Sequence, residues 1–256
     1  MNQNTLLCPA CDSDKWRAAY KIKEWTIAKC ALCGLARIDP PPTQESRPEF
    51  YSQEKVTSRN TKTLNRSQKF SRGCKRFFKR LLQREKAAIF YQKLRSYLSP
   101  GAKVLDIGCG DGSFLKQARE KFDCYGIEIS DYLAGLAKKN GLKVKVGNFI
   151  SLDFGNEKFD GITLISLLEH LNDPQRALKK CFELLNKNGV LLIKTVNYGC
   201  LNRVIKAENW SGFRPPDHVV YFTPKNLTRL LKKAGFSKIK ISAWAFNDNM
   251  YCDARK

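Results

Sequence analysis

The chain has no apolar run approaching the ~18 residues that a membrane-crossing helix requires. Its opening Met-Asn-Gln-Asn-Thr-Leu-Leu-Cys has neither the basic start nor the sustained apolar stretch of an export signal. The expected location is therefore the cytoplasm, where ten cysteines are thiols or metal ligands rather than disulfides. Internal repeats and low-complexity tracts are missing too, which excludes a stacked array. Acids are scarce: 24 Asp and Glu face 46 Lys and Arg, a formal net charge of +22 over 256 residues. Histidine is scarcer, with two in the chain, so proton transfer near neutral pH has few candidates.

What is present suits one α/β core and a small module, since 43% of the residues are hydrophobic. Cys8, Cys11, Cys30 and Cys33 are spaced C-x2-C-x18-C-x2-C, within the range of a four-thiolate zinc site. The run Trp16 to Ile27 between them reads as a hairpin too small to fold unaided, for which a structural zinc ion supplies the missing stability. An iron–sulfur centre or four unligated cysteines are the other readings. This ribbon is assigned to residues 1–39. Pro40, Pro41, Pro42 and Pro48 begin a non-helical linker, 40–65.

Residues 66–100 follow as a basic amphipathic helical segment. Its stretch 66–95 holds 11 Lys and Arg with Glu85 as its one acid. Such a surface packs on the core and solvates its lysines, or meets an anionic membrane surface, or meets RNA. Charge does not choose among these, and oligomeric state is not legible. A membrane contact would make the protein peripheral to the bilayer.

From residue 101 to 256 strand and helix patterns alternate, as a doubly wound sheet requires. Strands are predicted near 103–107, 123–128, 143–146, 159–165 and 189–196, with helices near 112–121, 131–140 and 174–186. Thr223-Pro224 starts a last helix that Gly235 ends. Strands Ile239 to Phe246 and Asn249 to Ala254 flank a turn at Asn247-Asp248. The first strand runs into Asp106-Ile-Gly108-Cys109-Gly110-Asp-Gly112, and Glu128 closes the next strand. Glycines let backbone pass close beneath a ligand, and a carboxylate there can accept both ribose hydroxyl protons. A dinucleotide elbow would need its third glycine where Ser113 stands.

The shifted pattern D-x-G-x-G-x-G resembles motif I of class I S-adenosylmethionine-dependent methyltransferases. The resemblance covers nearly all of 103–256 and implies a seven-stranded Rossmann-like sheet with an antiparallel last strand. It implies that Asp106 and the backbone of Gly108, Cys109, Gly110 and Gly112 face the methionine part. Glu128 then holds the ribose, and Gly147-Asn148-Phe149 lies beside adenine, Asn148 standing where most relatives have Asp. Phe159 to Pro174 is similar to the branch that methylates small molecules, quinones and sugars among them. The base-methylating Asn/Asp-Pro-Pro-Tyr/Phe and Pro-Cys motifs are absent at that position.

The long connection 197–223 is expected to be a substrate lid. Within it Trp210, Arg214 and Tyr221 are candidate acceptor contacts. Asp217-His218-Val-Val-Tyr221-Phe-Thr-Pro is similar to a segment of deoxysugar C-methyltransferases, which also begin with a four-cysteine zinc module; the further C-terminal domain of those enzymes is lacking. Methyl transfer needs alignment and one base. His218 is the first choice and His170 the second, oriented by Asp217 or Glu169. The resulting expectation is methyl transfer to a small or glycan-type acceptor, nucleotide- or lipid-linked acceptors included. The alternatives are an RNA methyltransferase and a non-catalytic nucleic-acid-binding or scaffold protein.

Overall fold

The computed structural model describes residues 7–42 and 88–256. The expected linker beyond residue 42 and the basic segment up to residue 87 lie outside the described residues. The chain divides into two compact units, Met1–Gln44 with Leu152–Lys256, and Glu45–Ser151.

The ribbon strands are β1 (Trp16–Ile22), β2 (Trp25–Cys30) and β3 (Ala36–Asp39). β1 and β2 make the expected hairpin, with Trp16 opposite Cys30 and Ile22 opposite Trp25. β3, which the sequence pattern did not announce, pairs antiparallel with β2 so that Ile38 meets Ile27. Both side chains and Leu35 are fully buried. Arg37 lies over the Trp16 ring at 3.9 Å and pairs with Asp39 at 3.2 Å.

In the unit Glu45–Ser151, β4 (Lys103–Ile107), β5 (Asp123–Glu128) and β6 (Lys143–Val146) run parallel. Their centres are apolar and carry Val104, Leu105, Ile107 and Ile127 into the core, the burial expected of a parallel sheet. α1 (Ser113–Ala118) is shorter than the sequence pattern predicts. α2 (Asp131–Lys139) starts at Ser130, whose hydroxyl accepts from Leu133 N. The helical residues 88–97 bury Phe90 and Leu94. Phe90 stands edge-on to Phe114 at 6.3 Å, and Tyr91 to Phe122 at 6.3 Å. That part of the basic segment therefore turns an apolar face to the core.

In the other unit β7 (Phe159–Ile165) runs parallel to β8 (Leu185–Val196). Between them α3 (Pro174–Leu184) is capped by Asp173, which accepts from Arg176 N at 2.9 Å. β8 begins four residues earlier than expected. Asn186-Lys187-Asn188-Gly189 falls within it, and the register with β7 shifts between Phe159 and Gly161. Next come α4 (Leu201–Lys206), β9 (Val220–Tyr221) and α5 (Pro224–Lys233). α5 starts on a reciprocal cap, Asn226 N to Thr223 Oγ1 at 3.4 Å and Thr223 N to Asn226 Oδ1 at 2.8 Å.

β10 (Ser237–Ala243) and β11 (Asn249–Arg255) close the chain, with β11 antiparallel to both β10 and β8. β10 stops at Ala243, where alternation alone carries it to Phe246. Trp244–Asn247 instead form the turn, with Asn247 N donating to Trp244 O at 3.1 Å. β4 to β6 and β7, β8, β10 and β11 belong to one seven-stranded sheet. This is the α/β class expected from the sequence, antiparallel last strand included. β9 is not part of it: Val220 and Tyr221 pair with Arg37 and Ala36 of β3, making the ribbon sheet four-stranded.

Candidate active site

The glycine elbow is built within the unit Glu45–Ser151. Gly108, Gly110 and Gly112 all have positive φ, which confines the turn to residues without a Cβ. The structure separates their roles. A Cβ on Gly110 would meet nothing within 4 Å, so this backbone borders open space. A Cβ on Gly112 would fall 2.1 Å from Leu142 Cδ1 and 3.2 Å from Ala137 Cβ. Gly112 therefore serves close packing. Gly126, not singled out by sequence, has the same packing role, because a Cβ there would lie 2.7 Å from Cys109 Sγ and 2.8 Å from Leu115 Cδ1.

Glu128 is buried and fixes the elbow: Oε2 accepts from Gly110 N at 2.8 Å and Oε1 from Ser130 N at 2.9 Å. Each oxygen keeps a lone pair for a further donor, as ribose binding would require. Asp106 and Cys109 are buried beside it, and burial, with Asp106 and Glu128 nearby, pushes the Cys109 thiol well above its usual range. Asn148 Oδ1 accepts from Ile150 N at 2.9 Å. That is the turn role of an Asn side chain, and the oxygen has a second lone pair for a further donor. Phe149 is buried.

Both histidines belong to the other unit. His218 Nδ1 lies 2.8 Å from Gly212 O, and His170 Nδ1 lies 2.7 Å from Asp217 O and 3.1 Å from Asp217 Oδ1. With carbonyl acceptors on both Nδ1 atoms, the hydrogen-bond network assigns each proton to Nδ1, so that Nε2 is the unprotonated nitrogen of each ring. The rings meet edge-on with centroids 4.9 Å apart. One ligand atom each from Glu169, His170 and His218 lie within 4.8 Å of one another. Glu169 is buried and Oε2 accepts from Thr195 Oγ1 at 2.8 Å.

The electrostatics separate the pair. Burial lowers the His218 pKa, the charge of His170 lowers it further, and it comes to about 3. Burial also opposes a charge on His170, but the Asp217 hydrogen bond and the Glu169 and Asp217 charges outweigh it and raise the pKa above the ordinary value. Burial works against the Asp217 charge as well, yet His170 and Arg214 hold its carboxyl far below the usual range. The sequence gives the base role first to His218. The structure places the carboxylate on His170 instead, which makes His170 the stronger base.

Two of the three expected acceptor contacts are core residues. Trp210 and Tyr221 are buried, with Phe213 and Tyr198, in an aromatic cluster whose centroids lie 5.2–6.3 Å apart. Tyr221 donates to His218 O at 2.8 Å. Gly212 is required under this cluster, since a Cβ would fall 2.2 Å from the Trp210 ring. Arg214 is half exposed and pairs with Asp217 at 2.9 Å.

Asp248, which sequence reading missed, ties the connection 197–223 to the final hairpin. Its Oδ1 accepts from Trp210 Nε1 at 2.9 Å and Asn202 Nδ2 at 3.0 Å, and its Oδ2 from Ser211 Oγ at 2.7 Å. Burial works against its charge, but these donors hold the pKa below the ordinary carboxylate value. Asp248→Ala should cost about 1–3 kcal/mol in urea unfolding, because Trp210 Nε1 loses its acceptor. A depressed pKa means that this contribution is present above the ordinary value and lost as pH falls through the folded one. The difference between wild type and variant should therefore shrink in acid. A constant difference would show that the charge has no part in it.

In the ribbon, Cys8 Sγ lies 3.5 Å from Cys33 Sγ and Cys11 Sγ lies 3.5 Å from Cys30 Sγ. All four sulfurs lie within 4.8 Å of one another. A tetrahedron with zinc–sulfur bonds of ~2.3 Å needs sulfurs ~3.8 Å apart, so the donor set fits zinc. The knuckles hold that set, with Cys11 N and Asp12 N donating to Cys8 O, and Gly34 N to Cys30 O.

A methyltransferase domain family model matches residues 70–241. Among curated relatives, the ubiquinone biosynthesis O-methyltransferase of Coxiella burnetii is 30% identical over 156 residues, 56% of this chain and 66% of that protein. The match thus spans just under two thirds of that relative. The Aromatoleum aromaticum protein of the same name is 28% identical over 162 residues, 57% of this chain and 69% of that one. Among solved structures, the magnesium protoporphyrin IX methyltransferase of Synechocystis has a TM-score of 0.61 at 15% identity, covering 84% of this chain and 100% of that one. A possible histamine N-methyltransferase of Thermotoga maritima has a TM-score of 0.56 at 22% identity, covering 73% and 96%. At such identities the structural likeness establishes the fold alone.

Proposed function

The chain belongs to the methyltransferase domain family, and from that premise we propose that it transfers a methyl group from S-adenosylmethionine to a hydroxyl of a small acceptor. The observation that carries the reading is the pairing of His170 with Asp217, a carboxylate-oriented imidazole, in a family whose curated relatives include O-methyltransferases. S-adenosylmethionine, when bound, supplies a methyl group already activated on sulfur. The chain's own residues then have three tasks: to hold the cofactor, to hold the acceptor and to take one proton.

Glu128 and the open backbone at Gly110 would hold the ribose and methionine parts, beside the carboxylate of Asp106. His170 takes the acceptor proton on Nε2, while Asp217 keeps the ring in the required tautomer and stabilises the imidazolium. Arg214 holds Asp217 from its other side and can meet an anionic substituent of the acceptor. His218, held neutral by its low pKa, stands edge-on to the His170 ring. Cys8, Cys11, Cys30 and Cys33 hold a structural zinc ion.

The acceptor class is a hydroxylated small molecule; lipid-linked and glycan-type acceptors fall within it. Incubation with methyl-labelled cofactor and fractionated extract tests this: label should enter lipid or soluble small molecules, and label in RNA would overturn the acceptor class. Gly110→Trp should abolish cofactor binding in calorimetry while leaving metal content unchanged, because the new side chain fills the open space beside Glu128. Undiminished binding would remove the elbow from the site.

A further inference from the structure

Among the described residues, five of the nine exposed large apolar side chains lie on two adjoining segments of the unit that holds the histidines. Leu201, Val204 and Ile205 belong to α4, and Trp244 and Phe246 to the turn between β10 and β11. Hydrogen bonds join the segments: Leu201 N donates to Ala245 O at 2.7 Å and Asn202 Nδ2 to Phe246 O at 2.8 Å. Ile205 is 71% exposed, Trp244 73% and Phe246 67%. Aqueous folding gives no reason to spend these side chains on solvent, and a contiguous patch of this kind marks a surface that meets an apolar partner.

We propose that α4 and the 244–247 turn form a docking surface for an anionic lipid bilayer, entered by Trp244, Phe246, Val204 and Ile205. Two independent observations select a bilayer. The first is the backbone of the turn. Trp244 O accepts from Asn247 N, Ala245 O from Leu201 N, Phe246 O from Asn202 Nδ2 and Asp248 O from Asn197 N. Carbonyls at a protruding tip ordinarily face water. Here the carbonyls are paired internally, which lowers the cost of placing the turn in a low-dielectric phase. The second is charge. Lys206 on α4 and Lys238 and Lys240 on β10, the strand that leads into the turn, are exposed, whereas Arg203 is tied to Tyr198 and Tyr20; the chain as a whole is +22. Aromatic tips with basic flanks suit the headgroup level of an anionic leaflet. A second copy of this chain would bring like charges together around the same patch.

The surface uses none of the residues of the basic segment 66–95 and does not depend on methyl transfer. The test is sedimentation of the purified full chain with phosphatidylcholine vesicles, with and without phosphatidylglycerol, for the wild type and two double variants, Trp244→Ser with Phe246→Ser and Val204→Ser with Ile205→Ser. These side chains are exposed, so folding should be unaffected, and the circular dichroism and urea unfolding midpoint of each variant check this. The expected result is binding to phosphatidylglycerol vesicles that weakens about tenfold or more in each double variant, with blue-shifted tryptophan emission that Trp244→Phe abolishes. Equal binding by wild type and variants would assign the attraction to charge elsewhere and overturn the proposal. So would an absence of vesicle binding, whether the protein stays monomeric or forms a concentration-dependent dimer that the variants lose; the dimer would give the patch to a second copy.

Discussion

His170→Ala should lower turnover by about 10²- to 10⁴-fold, about 3–5 kcal/mol of barrier, with cofactor affinity unchanged. The imidazole is the only group of the cluster that is both basic enough and oriented by a carboxylate, through Nδ1 and Asp217 Oδ1 at 3.1 Å. A companion substitution separates catalysis from folding. Burial pushes the His170 pKa down, and chiefly the Asp217 carboxylate lifts it above the ordinary value of 6.5. In Asp217→Asn the burial effect prevails and the pKa falls. The acid limb of kcat/KM should then move to lower pH while the plateau drops, because the base is weaker. Stability carries the same signature with a definite sign. A raised histidine pKa contributes stability that is complete below 6.5 and is lost as pH rises through the folded value. The stability difference between wild type and His170→Gln should therefore shrink as pH rises. An acid limb that stays in place in Asp217→Asn would show that His170 is not the base.

The glycine elbow and its carboxylate were legible in the sequence because their parts are local. Gly108, Gly110, Gly112 and Glu128 fall in one strand–helix–strand segment, and positive φ leaves few residue choices. What could not be read was which glycine faces ligand and which faces Leu142, since that depends on where α2 returns to the sheet. The histidine pair failed for a similar reason. Asp217 is next to His218 in sequence, yet its carboxylate bonds His170, 47 positions away. Trp210 and Tyr221 suit a binding pocket by type, but Asp248 and Gly212 turn Trp210 inward and β3 captures Tyr221. Trp244 and Phe246 continued the alternation of a strand. Only the hydrogen bonds of Asn197 and Asn202 to the segment around them place the turn three residues earlier.

Cys30→Ser should release the ribbon metal and abolish turnover while leaving cofactor binding near that of the wild type. A structural zinc site in a small module supplies on the order of 10–16 kcal/mol, more than so small a core can replace. The consequence reaches the histidines through hydrogen bonds. Ile38 N donates to Val219 O at 2.9 Å, and β3 pairs with Val220 and Tyr221, whose hydroxyl holds His218 O. Lys233 Nζ also holds Asp12 at 2.8 Å, and Arg203 Nη1 donates to Tyr20 Oη at 2.9 Å. Loss of the ribbon therefore removes one side of the lid segment, whereas Glu128 and the glycine elbow belong to the other unit and keep their own hydrogen bonds. Metal analysis should give one zinc per wild-type chain and none in the variant. Limited proteolysis should open residues 7–42, and calorimetry should return the wild-type affinity for S-adenosylmethionine. A chelator that strips the wild type should reproduce the same pattern. Full turnover from metal-free protein would show that the ribbon neither needs zinc nor supports the lid.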